Sequence, residues 1–286
     1  MQDLRRQSEL WTPDAADLVR IGAVSYLNSK PLVEGLDELA PRAEVMLDYP
    51  SRLADHLADG LLDVALVPSF ECLRAPGYEV VSDACVATNG PVMSVKLYSR
   101  VPPGEIRRLA LDEGSRTSAA LARVMLAERY GVWPQTEPLP LGSAPEAAAA
   151  DAVLVIGDRA IRPPRERFAV TWDLGQEWLD WTGLPFVFAL WASRSGTDLG
   201  DVEDALAQAR DRGVAALDGI AEREAPRVGI PVETARHYLT RNLHFSLGEA
   251  ERSGLALFQE LTVTLGLAPG GIELVYRDCA ASGTLV

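Results

Sequence analysis

The sequence is poor in cysteine and has no long apolar run. Its three cysteines, Cys72, Cys85 and Cys279, are far apart among 286 residues and form no CxxC pair. Such a sparse, odd set is typical of reduced thiols in a cytoplasmic protein. The N-terminal residues have no continuous apolar core like that of a signal peptide, and the apolar stretch 186–192 is too short to span a membrane. We therefore predict a cytoplasmic protein that is soluble and not bound to a membrane.

Basic residues are also scarce. Lysine and arginine total 27 against 41 aspartates and glutamates, which gives a net charge of −14 at pH 7. Binding to nucleic acid or to anionic lipid requires basic surface, so the balance argues against both partners. A small anionic ligand is still possible, provided that local hydrogen-bond donors and helix N-termini hold it.

Several motifs that would indicate a known chemistry are missing. The histidines His56, His237 and His244 form no HExxH pair and are not clustered with carboxylates, so we predict no metal site. No P-loop, dinucleotide-binding turn or serine-hydrolase elbow occurs, and we predict no cofactor. His244 is a candidate general base, although the sequence favours a helix-surface or packing role for it.

The pattern of apolar residues predicts an α/β protein with two lobes and doubly wound sheets. A near-continuous apolar run at 63–67 is typical of a strand buried on both faces of a parallel sheet. We predict a first lobe over residues 1–98, completed by 186–286, and a second, smaller lobe over 99–185. A strand at 186–191 would return to the first lobe and pair with the outgoing strand at 92–98. Residues 1–18 form a loose leader, and the C-terminal tail is helical.

Polar side chains follow several predicted strands, at the points where the strands end. In open α/β sheets, ligands bind in the crevice outside the carboxyl ends of strands. Ordinary turn formation or helix N-capping by the same residues is about equally compatible with the pattern. The polar candidates are Ser25, Asn28, Ser29, Ser69, Asn89, Ser94, Ser115, Arg116, Thr117, Ser118 and Asp158.

Two further groups of residues have a functional and a structural interpretation. Glu34 and Glu71 are candidate acids or bases, and each is more typical of a solvated or ion-paired carboxylate. The aromatic residues of 172–191 could wall a crevice against a planar ring, although core packing is the commoner role of such residues.

Five segments together resemble chorismate dehydratase, the enzyme that opens the futalosine route to menaquinone. They are VSYLNSKPL at 24–32, VPSFE at 67–71, GPVMSVKLYS at 90–99, DEGSRTSAALARVML at 112–126 and LVIGDRA at 154–160. The resemblance extends over about residues 21–269 and includes a helical tail. The first and third segments, in that order, are its most specific part.

The resemblance implies the type II fold of periplasmic solute-binding proteins, with the ligand between two lobes. It implies that chorismate, a dicarboxylate, loses water to give 3-[(1-carboxyvinyl)oxy]benzoate without a metal or cofactor, assisted by the substrate's own enolpyruvyl carboxylate. Asn28 and Ser94 match the family's catalytic positions. The remaining candidates, expected to bind substrate, are Ser25, Ser69, Ser115, Arg116, Thr117 and Ser118.

Two alternatives to this reaction remain open. A non-catalytic anion-binding protein would have the same fold, because fold does not determine function. The later, dihydroxynaphthoate-releasing enzyme of the same pathway is thought to share the fold as well. The segment before GPV departs from the family pattern, which leaves the role of Asn89 open.

Overall fold

Two mixed β-sheets with helices packed against them give the protein a two-lobed α/β fold. The structure is a computed structural model that describes residues 18–277. Cys279 and all but the last residue of the predicted leader lie outside the described residues. Strands and helices are numbered along the chain.

The larger sheet has seven strands, in the order β11-β4-β10-β3-β1-β2, with β12 beside β4. Strands β2, β1 and β3 are parallel, whereas β10 is antiparallel to both of its neighbours. The strands are β1 (Val19–Val24), β2 (Ala43–Asp48), β3 (Val64–Pro68), β4 (Tyr78–Thr88), β10 (Phe186–Arg194), β11 (His244–Ser246) and β12 (Val275–Tyr276).

Burial in this sheet follows strand position. Every residue of β3 is buried, because the strand lies between two neighbours and under helices on both faces. Strand β2 is the outer strand, and Val45, Met46 and Leu47 on it are 38%, 44% and 50% exposed. Among residues 18–277, β2 has no partner on its outer side.

The smaller sheet has five strands in the order β7-β6-β8-β5-β9. Strands β7, β6 and β8 are parallel, and β5 is antiparallel to β8 and β9. The strands are β5 (Val95–Ser99), β6 (Arg108–Asp112), β7 (Gln135–Leu139), β8 (Ala152–Ile156) and β9 (Val170–Asp173).

Ten α-helices occur in the described part of the chain. Leu27–Val33 forms a 3-10 helix after β1, and Tyr238–Asn242 forms a π-helical turn after α9. The helices are α1 (Leu36–Leu39), α2 (Pro50–Ala58), α3 (Ser69–Arg74), α4 (Arg116–Tyr130), α5 (Asp158–Ile161), α6 (Leu174–Thr182), α7 (Val202–Ala215), α8 (Leu217–Val228), α9 (Val232–His237) and α10 (Glu249–Thr264).

The predicted partner of the returning strand was wrong. β10 pairs with β3 and β4, and β5 pairs with β8 and β9 in the smaller sheet. The reason is β4, an 11-residue strand that the sequence pattern did not reveal and that occupies the place beside β10. From sheet membership we propose that the chain first crosses between lobes at about residues 89–94, before β5 rather than after it.

Helix α2 begins at Pro50, and Tyr49 is its cap position. Proline suits the first helical position because its missing N–H would have no partner in the first turn of a helix. Ser51 is buried and its backbone N–H donates to the Gly114 carbonyl, 3.2 Å away.

Helix α7 packs directly behind the 3-10 helix that follows β1. A Cβ atom built on Gly213 would lie 1.9 Å from the carbonyl oxygen of Pro31, where no side chain fits. Gly213 is therefore needed for close approach of α7 to the Leu27–Val33 segment. This contact fixes the segment that carries Asn28.

Candidate active site

A cleft between the two sheets collects the carboxyl ends of strands from both lobes. It contains about 480 Å³ of empty space, including its solvent-open mouth. β1, β3 and β10 supply one wall, and β5, the α4 N-terminus and the end of β8 supply the other. The lining residues include Tyr26, Asn28, Pro68, Val92, Ser94, Ser115, Ser118, Gly157 and Phe188.

Asn28 and Ser94 both line this cleft, Asn28 from the segment after β1 of the larger sheet and Ser94 from the position before β5 of the smaller sheet. The Oδ1 atom of Asn28 is buried and has no hydrogen-bond partner within residues 18–277. A buried acceptor without a partner is costly, and such groups are rare unless a ligand or water completes them. Ser94 is 1% exposed and accepts a hydrogen bond from the Tyr238 hydroxyl at 2.7 Å.

Ser115 and Ser118 line the same cleft at the first turn of α4. Ser115 is the N-cap residue: its Oγ accepts from the Ser118 backbone N–H at 3.2 Å and lies 3.0 Å from the Ser118 Oγ. The N-terminus of a 15-residue helix carries partial positive charge. Capping leaves both side chains at the cleft, and a carboxylate placed there would meet two hydroxyl groups and a favourable field.

The lobe crossing at 89–94 contains a strained backbone. Met93 has a φ of 59° and is the only non-glycine residue with positive φ among those described. The Ser94 N–H donates to the Val92 carbonyl at 2.7 Å, which closes a three-residue γ-turn. Asp173 accepts from the N–H groups of Val92 and Met93, both at 2.7 Å. Strain of this kind persists only where surrounding contacts enforce it, and here it positions Ser94.

Three of the predicted substrate-binding residues bridge the lobes outside the cleft. Arg116 donates to Asp55 Oδ1 at 2.6 Å, and its Nη1 lies 3.2 Å from Glu71 Oε1. Thr117 Oγ1 accepts from the Phe70 N–H at 3.0 Å and lies 3.4 Å from the Ser69 Oγ. Substrate contact by these three stays a prediction, and in this structure they hold α4 against α3.

The other predicted residues have varied surroundings. Ser25 is exposed and does not line the described cleft. His244 Nε2 lies 2.9 Å from Glu251 Oε1, outside the cleft lining. Glu34 pairs with Arg223 at 2.7 Å, as expected of an ion-paired carboxylate.

Phe188 contributes its ring to the cleft, whereas most of the neighbouring aromatic residues pack in the core. Trp178 and Phe186 are 0% and 1% exposed and pack with Phe258. Core packing, the commoner role of such residues, is therefore confirmed for Trp178 and Phe186.

Asp158 joins the two lobes at the side of the cleft. Its Oδ1 accepts from the backbone N–H of Leu27 at 3.0 Å, next to Asn28. Gly157, with a φ of 76°, sits under the Tyr26 ring, where a Cβ would lie 2.5 Å from the ring. Burial raises the pKa of the Asp158 carboxyl to about 6, and the Leu27 hydrogen bond opposes the rise.

Replacing Asp158 with asparagine is expected to make the free energy of unfolding less dependent on pH. The folded-state pKa of about 6 exceeds the ordinary 3.8, so the folded protein binds more protons between these values. The contribution of Asp158 to stability therefore falls as pH rises from about 3.8 to about 6, and is constant above that. Lys30 and Arg162 nearby favour the charge, and Glu224 opposes it.

The measurement is the melting temperature of both proteins from pH 4 to pH 8. The difference, Asp158→Asn minus wild type, should become more positive by a few degrees up to about pH 6 and then level off. Two melting curves that stay parallel over the whole range would contradict this assignment.

Tyr26 and Tyr238 are site residues that the sequence did not single out. Tyr26 lines the cleft, and Tyr238 is fully buried beneath Ser94. Burial raises the pKa of both hydroxyls above the ordinary range. Tyr238 lies in the predicted helical tail, away from every predicted strand, so the pattern of polar residues at strand ends did not indicate it.

The described residues also bear on metal binding and on membrane insertion. No group of three or more histidine, cysteine, aspartate or glutamate side chains is arranged to hold a metal ion within residues 18–277. In the same part of the chain, every helix is too short or too polar to cross a bilayer.

The fold is that of a two-lobed, periplasmic-binding-protein-like α/β protein, with the cleft between its two sheets. A protein of Archaeoglobus fulgidus has a TM-score of 0.67 at 14% identity, over 89% of this chain and 100% of its own. The alkanesulfonate-binding protein of Xanthomonas axonopodis pv. citri, bound to MOPS, has a TM-score of 0.59 at 16% identity, over 88% and 92%.

Sequence comparison adds the family. A sequence model of the menaquinone biosynthesis family matches residues 19–264, and the chain belongs to this family. It is also 33% identical to the chorismate dehydratase of Thermus thermophilus, over 84% of this chain and 93% of that protein. The family resemblance predicted from the sequence is thereby confirmed.

Proposed function

We propose that this protein is a cytoplasmic lyase that dehydrates chorismate to 3-[(1-carboxyvinyl)oxy]benzoate. The observation that supports it most is the pair Asn28 and Ser94, which face one cleft from two lobes at the positions that match the family's motifs. The likeness to the Thermus thermophilus chorismate dehydratase supports the choice of substrate. The binding proteins of known structure that resemble this chain are evidence for its fold and not for its activity.

The composition of the cleft favours a reaction in which the substrate supplies its own base. The described lining contains no aspartate, glutamate, histidine, lysine or cysteine, and its only titratable side chain is Tyr26. Burial raises the pKa of the Tyr26 hydroxyl, so it stays protonated at neutral pH and cannot act as a strong base. We infer that the enolpyruvyl carboxylate of chorismate takes the ring proton.

The elimination breaks one ring C–H bond and the adjacent ring C–O bond. The third ring double bond forms, and the proton and the hydroxyl leave together as one water molecule. Since the product ring is aromatic, the protein needs mainly to orient the substrate and to exclude alternative conformations. Asn28 and Ser94 would orient the reacting carbons, and Ser115 and Ser118 would hold a carboxylate at the start of α4.

The test is incubation of the purified wild-type protein with chorismate, followed by mass spectrometry of the mixture over time. We expect catalytic loss of one water and accumulation of 3-[(1-carboxyvinyl)oxy]benzoate, identified against a synthetic standard. Binding of chorismate without turnover, measured by calorimetry, would instead support a non-catalytic anion-binding protein. If chorismate neither reacts nor binds, the proposed substrate is wrong, and the later intermediate of the pathway is the next ligand to test.

A further inference from the structure

Tyr238 lies beneath Ser94, one of the residues that line the cleft. Its side chain is 0% exposed, and its hydroxyl donates to the Ser94 Oγ at 2.7 Å. The residue comes from the π-helical turn between α9 and β11, an irregularity that is often found at functional sites.

The direction of the Tyr238 hydrogen bond determines what Ser94 can do. A serine hydroxyl carries one proton and accepts through its lone pairs. Because Ser94 accepts from Tyr238, its own proton is free, and its oxygen has no second hydrogen-bond partner within residues 18–277. Ser94 lines the cleft, so the free proton is available to a ligand. Ser94 is thereby set as a hydrogen-bond donor.

Asn28 presents the opposite polarity. Its Oδ1 atom is buried and has no hydrogen-bond partner within residues 18–277. An amide oxygen only accepts hydrogen bonds. Asn28 therefore offers an acceptor to a ligand that carries a hydroxyl proton.

We propose that Tyr238 is a positioning residue that sets Ser94 as a hydrogen-bond donor to the ligand, across the cleft from the acceptor Asn28 Oδ1. The proposal rests on the proposed function for its ligand. At neutral pH both carboxylates of chorismate are acceptors only, and its ring hydroxyl is its one donor. Asn28 Oδ1 thus receives the hydroxyl that departs as water, and Ser94 donates to a carboxylate of the substrate.

The experiment is a double-mutant cycle with Tyr238→Phe, Ser94→Ala and the combined variant. Tyr238→Phe removes one hydroxyl and keeps the packed ring, so we expect kcat/KM to fall on the order of 10–100-fold, mainly through kcat. Since Tyr238 acts through Ser94, Tyr238→Phe should lower kcat/KM by less than about 3-fold in the Ser94→Ala background. Tyr98→Phe, which alters a buried tyrosine of the second lobe away from the cleft, is the matched control and should leave activity unchanged.

The outcomes separate this inference from the proposed function. If wild type turns over chorismate and the two single effects multiply, Tyr238 has only a structural role and the inference is wrong. If wild type binds chorismate without turnover, the same cycle measured on Kd tests the inference while the lyase function fails. If neither chorismate nor 3-[(1-carboxyvinyl)oxy]benzoate binds to the folded wild type, both proposals fail. Melting temperatures of all variants establish that each is folded.

Discussion

Replacing Asn28 with alanine is expected to lower kcat for chorismate dehydration by about 10²–10³-fold, the usual effect of losing one preorganised hydrogen-bonding group. The variant keeps the apolar surroundings of the cleft but loses the unpaired acceptor. Its melting temperature should be equal to or above that of wild type, because removal of a buried acceptor without a partner relieves a desolvation cost. Lower activity with unchanged or higher stability is the signature of a functional residue.

Steady-state kinetics and thermal unfolding of the same preparations test this expectation. Asn89→Ala is the matched control, since it removes an exposed asparagine from the lobe crossing, outside the cleft lining. The control should retain the wild-type kcat, and this result would also answer the open question about Asn89. An Asn28→Ala variant with more than about a tenth of the wild-type kcat would exclude an orienting role for Asn28.

Gly213→Ala is expected to have the largest effect on stability. The new methyl group would lie 1.9 Å from the Pro31 carbonyl oxygen, which is backbone and cannot rotate away. Helix α7 must therefore move from the Leu27–Val33 segment, and overpacking of this kind costs about 1–3 kcal/mol or more. The higher helix propensity of alanine offsets only about 1 kcal/mol of this. The shift also displaces Asn28, so kcat should fall together with the free energy of unfolding.

Urea denaturation and chorismate turnover measure the two effects. Gly219→Ala is the matched control, because this glycine lies within α8 and a Cβ there would meet nothing within 4 Å. The control should raise the free energy of unfolding by up to about 1 kcal/mol through helix propensity alone. Equal stability of the two variants would show that α7 does not need the close approach.

The sequence predicted which residues share the cleft because a single topological rule places them there. Strand ends of parallel sheets meet at one edge, so polar residues that follow such strands converge whatever the rest of the chain does. Asn28, Ser115 and Ser118 follow this rule. Ser94 directly precedes β5, and the antiparallel direction of β5 brings its N-terminal end to the edge where β8 ends. All four residues line the cleft. Their individual roles toward the substrate stay predictions.

The rule does not tell which way a side chain points after the strand ends. Ser115, Arg116, Thr117 and Ser118 are consecutive, yet only the first and last line the cleft. On a helix, adjacent residues are about 100° apart, so Arg116 and Thr117 project toward α2 and α3 of the other lobe. The sequence therefore located the turn at 115–118 correctly, but the contacts of Arg116 and Thr117 are visible only in the packed structure.

Strand β4 and the role of Tyr238 were not predicted from the sequence, for a related reason. β4 mixes small, polar and apolar residues and pairs with β10, β11 and β12, with register shifts in two of these pairings, so it has neither clean alternation nor a continuous apolar run. Tyr238 is more than 140 residues from Ser94 in the chain. Long-range packing defines both, and no local pattern encodes it.

The outer strand of the larger sheet has a consequence for the behaviour of the protein at high concentration. Within residues 18–277 no strand pairs with the outer edge of β2, which also carries the apolar side chains of Val45, Met46 and Leu47. This combination favours edge-to-edge association of chains. The net charge of −14 repels one copy from another and keeps the edges apart. Salt screens that repulsion over about 10 Å at 0.1 M, so colloidal stability should decrease as ionic strength rises. Low-salt buffers therefore suit concentrated preparations of this protein.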